Sequence, residues 1–326
     1  MLRPSRSSLL TAAVSLAAGL LTLPAPAYAA DTTTSLDATA MAAALRTVAD
    51  ASTAAARDGW KITDAFTGGS VSASSTVVVD VSHKIAHSRY QFGGDSIAMY
   101  VVGGKGMYRS LSEPDERAAV KMMGRPQVRY QFTAVPSVTL GDFLGAGLTT
   151  PATALTDVAH AGTRTVHGDG SAHYAYRDGD GMTITLHVSA AGTLTGSRGA
   201  GPGFSETATY GYGVQHVTLP AASVTISATT LARGVAYVNM TDTVGEVAAQ
   251  GAADTRRAAH GHRIKVAVLR RMVRQEASDF NRMIGTKMVR VTTMDRGARV
   301  YAKNPWTHKT TSFTVKASGK KIAVEG

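Results

Sequence analysis

Alternating apolar and polar residues predict that Thr76–Leu111 folds as an antiparallel β-meander. Valine takes every second position from Val77 to Val81, and apolar residues recur at the same interval further on. The dipeptides Gly93-Gly94 and Gly103-Gly104 supply the turns. Because side chains alternate between the two sides of a strand, one face of this sheet is apolar and must pack against protein or against a ligand.

Apolar residues at helical spacing predict helices on both sides of the meander. The Ala-rich segment Leu36–Arg57 is predicted to be a helix that packs on the sheet, and a first strand follows it at Trp60–Phe66. After the meander, short helices are predicted at 112–123, with Ser112 as the N-cap, and at 137–144. The sheet is therefore expected to be covered by helices.

The strand pattern returns in the middle of the chain. Residues 171–177 and 182–188 predict a hairpin, because the Asp-Gly steps at Asp178–Gly181 suit a tight turn between them. The glycine-rich segment 197–203 is predicted to be a loop, and 207–217 begins the last strands of this part of the chain.

A different pattern begins at Leu231. Helices are predicted at 231–260 and 264–284, and short alternating segments then predict four strands before the C terminus. We therefore expect a small α+β module at this end of the chain.

The N terminus is typical of a secretory signal peptide. Arg3 and Arg6 precede an apolar run at Leu9–Leu23, and an A-x-A cleavage pattern follows at Ala27–Ala29. We expect residues 1–30 to be removed and the mature protein to be secreted.

The length of the mature chain favours two domains, predicted at 31–228 and 229–326. The sequence contains no cysteine, so it offers neither disulfides nor thiolate metal ligands, and no cysteine for lipid attachment. An exported protein of this composition must be stabilised by its hydrophobic core.

Positive charge is concentrated in the C-terminal third. Residues 31–230 contain 14 Lys and Arg against 16 Asp and Glu, whereas residues 231–326 contain 18 against 7. This asymmetry indicates that the C-terminal module meets an anionic partner while the rest of the protein has another role.

Four segments give the chain a family resemblance: MYRSL at Met107–Leu111, GTRTVHGDGSAHYAYR at Gly162–Arg177, MTITLHVSAAGTLTG at Met182–Gly196 and YGYGVQHVTLP at Tyr210–Pro220. In this order they resemble the LolA-like envelope lipoprotein carriers, and in particular the actinobacterial branch of LppX- and LprG-type lipid-binding proteins. The resemblance covers about residues 36–226. It implies an α+β fold in which an antiparallel half-barrel, covered by helices, holds a lipid or acyl chain in an apolar cavity.

The apolar sheet face supplies the candidate ligand-binding residues. An ordinary protein core is the alternative interpretation of the same pattern. The candidates are Val77, Val79, Val81, Tyr90, Phe92, Ile97, Met99, Val101, Ile184, Leu186 and Val188.

Signals for metal binding or catalysis are weak. His83 and His87 have the spacing of a zinc-binding helix, but Lys84 stands where a metalloprotease needs Glu, and the segment alternates like a strand on which the two histidines would share a face. Asp178–Gly181 would make a calcium loop only if an oxygen ligand replaced Met182. We therefore predict no metal, no cofactor and no catalytic residue, although paired carboxylates that meet only in space remain an open alternative.

The basic helix predicted at 264–284 supplies a second candidate surface. Its alternative interpretation is an ordinary solvated face. The candidate residues for binding an anionic surface are Arg263, Arg270, Arg271, Arg274 and Arg282.

These patterns lead to one expected function and one alternative. We expect a secreted, non-enzymatic envelope protein that binds or carries a lipid, while its cationic module docks on an anionic membrane or wall polymer. Nucleic acid is not an expected partner. The alternative is an extracytoplasmic regulatory module that binds an envelope protein, as the resemblance to MucB- and RseB-type sensors implies.

Overall fold

The computed structural model describes residues 30–145, 150–155, 158 and 160–326. Residues 1–29 of the predicted signal peptide therefore lie outside the described residues. The described chain forms one curved, open sheet of thirteen strands and a separate sheet of four strands, with helices packed on both. The predicted α+β class is confirmed.

The large sheet is antiparallel except at one edge. Its strand order is β1-β8-β9-β10-β11-β12-β2-β3-β4-β5-β6-β7-β13, and only the last pair, β7 with β13, is parallel. The strands are β1 Thr32–Leu36, β2 Gly59–Gly68, β3 Val71–Asp80, β4 Ile85–Phe92, β5 Asp95–Val102, β6 Gly106–Ser110, β7 Tyr130–Ala134, β8 Gly162–Val166, β9 Ala172–Arg177, β10 Thr183–Val188, β11 Leu194–Gly201, β12 Phe204–Tyr212 and β13 Thr225–Ser227.

Besides three short 3-10 helices, the described chain contains six α-helices and four further strands. The helices are α1 Ala38–Ala55, α2 Pro114–Met122, α3 Leu140–Gly145, α4 Ala228–Val238, α5 Met240–Ala259 and α6 Val266–Met283. The strands of the small sheet are β14 Arg290–Met294, β15 Gly297–Lys303, β16 Thr310–Ser318 and β17 Lys321–Glu325.

The strand register defines two faces of the large sheet. We call the side that carries Val79 and Tyr90 the inner face, and the side that carries His87 and Tyr100 the outer face. Successive pairings from β10 to β4 put Leu186 in the same row as Tyr90. The candidate ligand-binding residues within strands therefore share the inner face.

Helix α1 covers one half of the inner face. The Asp37 carboxylate caps the helix by accepting a hydrogen bond of 2.8 Å from the Ala40 backbone N–H. The buried Leu45 side chain packs in one cluster with Tyr174 and Leu186. The predicted helix is confirmed, and it places the candidates on β10 in a protein core.

A second core lies where α3 and the segment before it reach β2 to β5. Val138 and Phe143 pack with Trp60, Val79 and Val101, all of which are buried. The candidates at this end of the meander are therefore also covered by protein.

Helix α2 lies beside the outer face, and its N-cap differs from the predicted one. Glu113, not Ser112, is the N-cap residue, and it forms a capping box with Glu116. Pro114 then takes the first helical position, where a missing N–H costs nothing. Helix α2 packs with α4 through Ala119 and Leu231.

The predicted loop at 197–203 is wrong, because most of it belongs to strand β11. Gly199 pairs with Ile184 and with Glu206 in the two adjacent strands. A Cβ at this position would lie 3.1 Å from the end of the Met182 side chain and 3.3 Å from Ile184. Glycine here makes room for neighbouring side chains and does not form a turn.

The C-terminal module is α+β, as predicted, and its helices α5 and α6 pack on the small sheet. The segment predicted as one helical stretch at 231–260 is divided at Asn239 into α4 and α5. Leu231 packs with the large sheet's helices, whereas Val244 belongs to the core of the small sheet. The packing partners thus change at Asn239, while the predicted division of the chain falls at residue 229.

Among the residues that the structure describes, no helix combines the length and apolar character that crossing a bilayer requires.

Candidate functional site

Part of the inner face is left uncovered. Val79 is 1% exposed, but Tyr90, Phe92 and Ile97 on the same face are 46%, 49% and 49% exposed. These three side chains lie towards the β4–β5 turn, beyond the residues that pack with α3. We call Phe66, Tyr90, Phe92 and Ile97 the open patch. Contiguous exposed apolar side chains of this size mark binding surfaces in soluble proteins.

The open patch borders a cleft of about 260 Å³. The rings of Tyr90 and Phe92 stack with centroids 6.4 Å apart, and Phe66 makes an edge contact with Phe204 at 4.8 Å. The cleft is lined by Asp64, Ala65, Phe66, Ala73, Ser74, Ser75, Tyr90, Phe92 and Glu206. This surface suits a flexible apolar chain lying along the sheet.

Two carboxylates lie among these aromatic side chains. Asp64 on β2 accepts a hydrogen bond of 2.7 Å from the backbone N–H of Ser75. Glu206 on β12 pairs with Phe66, which makes it a diagonal neighbour of Asp64. A bound anion would be repelled here, so the cleft favours a ligand whose nearby polar group is uncharged or donates hydrogen bonds.

The remaining candidates on the inner face differ in exposure. Met99 and Ile184 are partly buried, and Val81, in the turn after β3, is 39% exposed. The buried candidates pack against α1 or with the residues around α3, and a ligand would reach them only if those segments moved. They are Val77, Val79, Val101, Leu186 and Val188. Ligand binding by any of the eleven remains a prediction.

The histidine pair does not form a metal site. His83 lies in the turn after β3, where its ring is 2.8 Å from the Asp80 carboxylate, while His87 lies on the outer face of β4. The idea that both share one strand face is therefore wrong, since the turn separates them. Within the described ranges, no group of three or more His, Cys, Asp or Glu residues could hold a metal ion.

Asp80 organises that turn. Burial opposes its ionisation, but hydrogen bonds from the His83 backbone N–H, the Ser82 hydroxyl and the His83 ring outweigh burial and lower the pKa of the carboxyl. These hydrogen bonds with Asp80 indicate that His83 stabilises the turn.

A cationic groove of about 880 Å³ lies between α6 and β14. Two of the predicted arginines, Arg274 and Arg282, line it together with Lys287 and Arg290. Lys287 and Arg290 were missed by the sequence analysis, because the groove forms only when β14 folds back beside α6.

The five predicted arginines have different surroundings. Arg270 donates to the backbone carbonyls of Gly297 and Asp295 at 3.1 Å and 2.9 Å, so it holds the β14–β15 turn. Arg282 forms an ion pair with Asp279. Arg263 and Arg271 are exposed, as is Arg274, which donates to the Thr293 hydroxyl at 2.8 Å. Anion binding by these residues remains a prediction.

Comparison with solved structures finds likeness over about half of the chain. The lipoprotein LppX of Mycobacterium tuberculosis matches 56% of this chain and 99% of its own, with 11% identity and a TM-score of 0.31. LprF from Mycobacterium bovis matches 54% of this chain and 96% of its own, with 10% identity and a TM-score of 0.28. An uncharacterized conserved protein from Thermus thermophilus matches 55% of this chain and 96% of its own, with 9% identity and a TM-score of 0.27.

No protein-family model and no curated protein matches the chain. The solved structures found include LppX itself, one of the proteins that the sequence resembles.

Proposed function

We propose that the protein binds a lipid or another hydrophobic ligand on the inner face of its large sheet. The observation that carries this proposal is the open patch, where three large apolar side chains are nearly half exposed on a face whose other parts pack against α1 and α3. The expected setting is the cell envelope, outside the cytoplasm, and the role is binding or carrying without catalysis.

The open geometry favours exchangeable binding. Each buried methylene contributes about 0.8 kcal/mol, so a segment of about ten methylenes contributes about 8 kcal/mol. Association opposes this with about 4 kcal/mol or more. The remainder corresponds to a Kd of about 1 mM or weaker, which would let a ligand be loaded and released.

Asp64 and Glu206 set the ligand's polarity. Their carboxylates line the cleft beside Phe66 and Phe92. A free fatty acid would bring a third negative charge to them, whereas an acylglycerol would bring hydroxyl donors. We therefore propose a ligand with an uncharged polar group, such as a monoacylglycerol or a glycosylated lipid.

The cationic groove is the proposed docking surface for an anionic membrane or wall polymer. Arg274, Arg282, Lys287 and Arg290 line it, and the only carboxylate known to pair with one of them in the described chain is Asp279 with Arg282. Exposed cations near an anionic surface contribute about 1 kcal/mol each. The groove would hold the protein at the envelope while the open patch binds the ligand.

The binding half of the proposal is tested with the neutral fluorescent probe N-phenyl-1-naphthylamine and the mature protein. Ile97→Asn places an amide in the open patch and should weaken probe binding. Val214→Asn is the matched control, because Val214 is 63% exposed outside the patch. Equal binding by both variants would contradict the proposal. Absence of binding by the unmodified protein would favour the regulatory alternative, with the open patch as a protein contact.

A further inference from the structure

A pocket of about 720 Å³ lies on the outer face of the large sheet. Its floor comes from β4 to β7 and one wall is α2, which contributes Arg117, Val120 and Lys121. In strand β4, Arg89 points into this pocket while its neighbour Tyr90 belongs to the open patch. The two sites therefore lie on opposite sides of the same strands.

Four cationic side chains surround the pocket: Arg89, Arg117, Lys121 and Arg129. Its lining, all of it in the described part of the chain, contains no Asp or Glu. Arg117 and Lys121 are one helical turn apart, so both extend from the same side of α2. Arg89 donates from Nε to the Ser96 hydroxyl at 3.1 Å, and Arg117 donates to the Ser112 carbonyl at 2.8 Å. The Lys121 side chain makes no hydrogen bond or ion pair with the described residues.

Like charges gathered around one concavity repel each other unless an anion enters it. An anion with several oxygens could accept hydrogen bonds from more than one of these cations at once. A single carboxylate offers fewer acceptors than a phosphate does. The charge arrangement therefore favours a phosphate group.

The floor of the pocket is aromatic and neutral. The His87 ring stacks on Tyr100 with centroids 4.3 Å apart, and Tyr130 meets Tyr100 edge-on at 5.8 Å. Burial and the nearby Arg89 lower the pKa of His87, and burial next to Tyr130 raises the pKa of Tyr100 to about 12. At neutral pH these rings are uncharged surfaces on which a carbon skeleton can pack.

We propose that this outer pocket binds a phosphate ester, with Arg117 and Lys121 holding the phosphate and the His87–Tyr100 stack contacting its organic part. The ester could be a lipid headgroup or a soluble phosphodiester, since both present the same group. The site is separate from the open patch, so it can exist whether or not the inner face binds lipid.

The test is calorimetric titration of the mature protein with glycerophosphoglycerol, dihexanoylphosphatidylglycerol and inorganic phosphate. The variant Arg117→Gln/Lys121→Gln should bind the ester at least about tenfold more weakly, because two charge-assisted hydrogen bonds are lost. The control Lys320→Gln/Lys321→Gln removes the same charge from exposed positions at the β16–β17 turn, outside both proposed anion sites, and should bind like the unmodified protein. The pKa of His87, followed by NMR, reports whether the ester binds in this pocket. It should rise on binding, because a nearby negative charge stabilises the protonated ring.

The probes also identify the source of the phosphate. Equal affinity for both esters supports a soluble phosphodiester, and clearly tighter binding of the dihexanoyl lipid supports a headgroup. Equal weakening in both double variants would mean that net charge alone attracts the anion, and the proposal would be overturned. No binding of any probe at millimolar concentration, or binding that leaves His87 unchanged, would also overturn it.

Discussion

Tyr90 and Ile97 face each other directly across β4 and β5, and each exposes nearly half of its surface. Further along the same two strands, Ala86 faces Val101, and both are buried. The same face thus changes from protein core to open surface within one hairpin. The covered end can stabilise the fold while the open end remains available to a ligand.

This division predicts that stability and ligand binding separate by position. Leu45→Ala should lower the free energy of unfolding by about 2–5 kcal/mol, because Leu45 is fully buried between α1 and the sheet. Phe92→Ala should change it by less than about 1 kcal/mol and should instead weaken binding of the neutral probe. Denaturant titration and probe titration on both variants check this. A large loss of stability in Phe92→Ala would show that the open patch is core.

The Arg109–Glu116 pair should matter to the fold. Glu116 is buried and accepts from both terminal nitrogens of Arg109, one of these bonds measuring 3.1 Å. Glu116→Gln removes the ion pair and weakens the α2 capping box, so we expect a loss of about 1–2 kcal/mol, at the low end because Arg109 is partly exposed. Urea denaturation measures it, with the exposed Glu246→Gln as control. Unchanged stability would mean that solvent replaces these bonds.

The Arg109–Glu116 pair also predicts that the folded protein loses stability in acid. Burial of Glu116 opposes ionisation, but the hydrogen bonds and charge of Arg109 outweigh it and lower the pKa of this carboxyl below 4.5. The contribution is therefore present above pH 4.5 and is lost as the pH falls through the lowered value.

A row of histidines on the outer face should make stability depend on pH near neutrality. His173 is linked to His187 at 2.8 Å and to His167 at 3.2 Å, and His167 is 2.8 Å from Asp31. Burial and the two neighbouring histidines lower the pKa of His173 below 6.5. The unfolded chain then binds more protons than the folded one between the two values, so stability should fall as the pH drops from about 7 to about 5.

Thermal melts across this pH range measure the effect. His173→Gln keeps a hydrogen-bonding side chain without a titrating group, and it should flatten the dependence. An unchanged pH profile in that variant would assign the effect to other groups, His87 first, because burial also lowers its pKa.

Docking on anionic surfaces should depend on salt and on the groove arginines. Binding to phosphatidylglycerol vesicles should weaken as the salt concentration rises towards 1 M, because the Debye length then falls to about 3 Å and the charges are screened. Arg274→Gln/Arg290→Gln should weaken it further. Arg270→Gln should instead lower stability, since its guanidinium holds the β14–β15 turn. Salt-independent binding, or binding equal to that of phosphatidylcholine vesicles, would contradict electrostatic docking.

The faces of the strands could be predicted from the sequence, because side chains alternate along each strand and the apolar residues of neighbouring strands, such as Val79, Tyr90 and Ile97, favour the same side of the sheet. Which of these residues are covered by helices could not be predicted from the sequence. Leu186 and Tyr90 share a row, yet Leu186 is buried under α1 and Tyr90 is exposed. Which residues a helix covers depends on where it docks, and no local pattern specifies this.

Local patterns also failed where a residue's role depended on its neighbours. Gly199 looked like a loop residue, but it is a strand residue that makes room for Met182, which immediately precedes the adjacent strand β10. The outer pocket was not predicted, because Arg89 and Lys121 line the same pocket only after α2 docks beside β4 to β7. Neither arrangement can be detected by counting residues or charges along the chain.

Photolabelling with a diazirine-bearing monoacylglycerol tests the central proposal most directly, since mass spectrometry locates the bound chain. We expect the label on the inner face of β2 to β5, at or next to Phe66, Tyr90, Phe92 and Ile97, with less label in Ile97→Asn than in Val214→Asn. Label confined to the outer face or to the C-terminal module, or no specific label at all, would contradict a hydrophobic ligand site on the open patch.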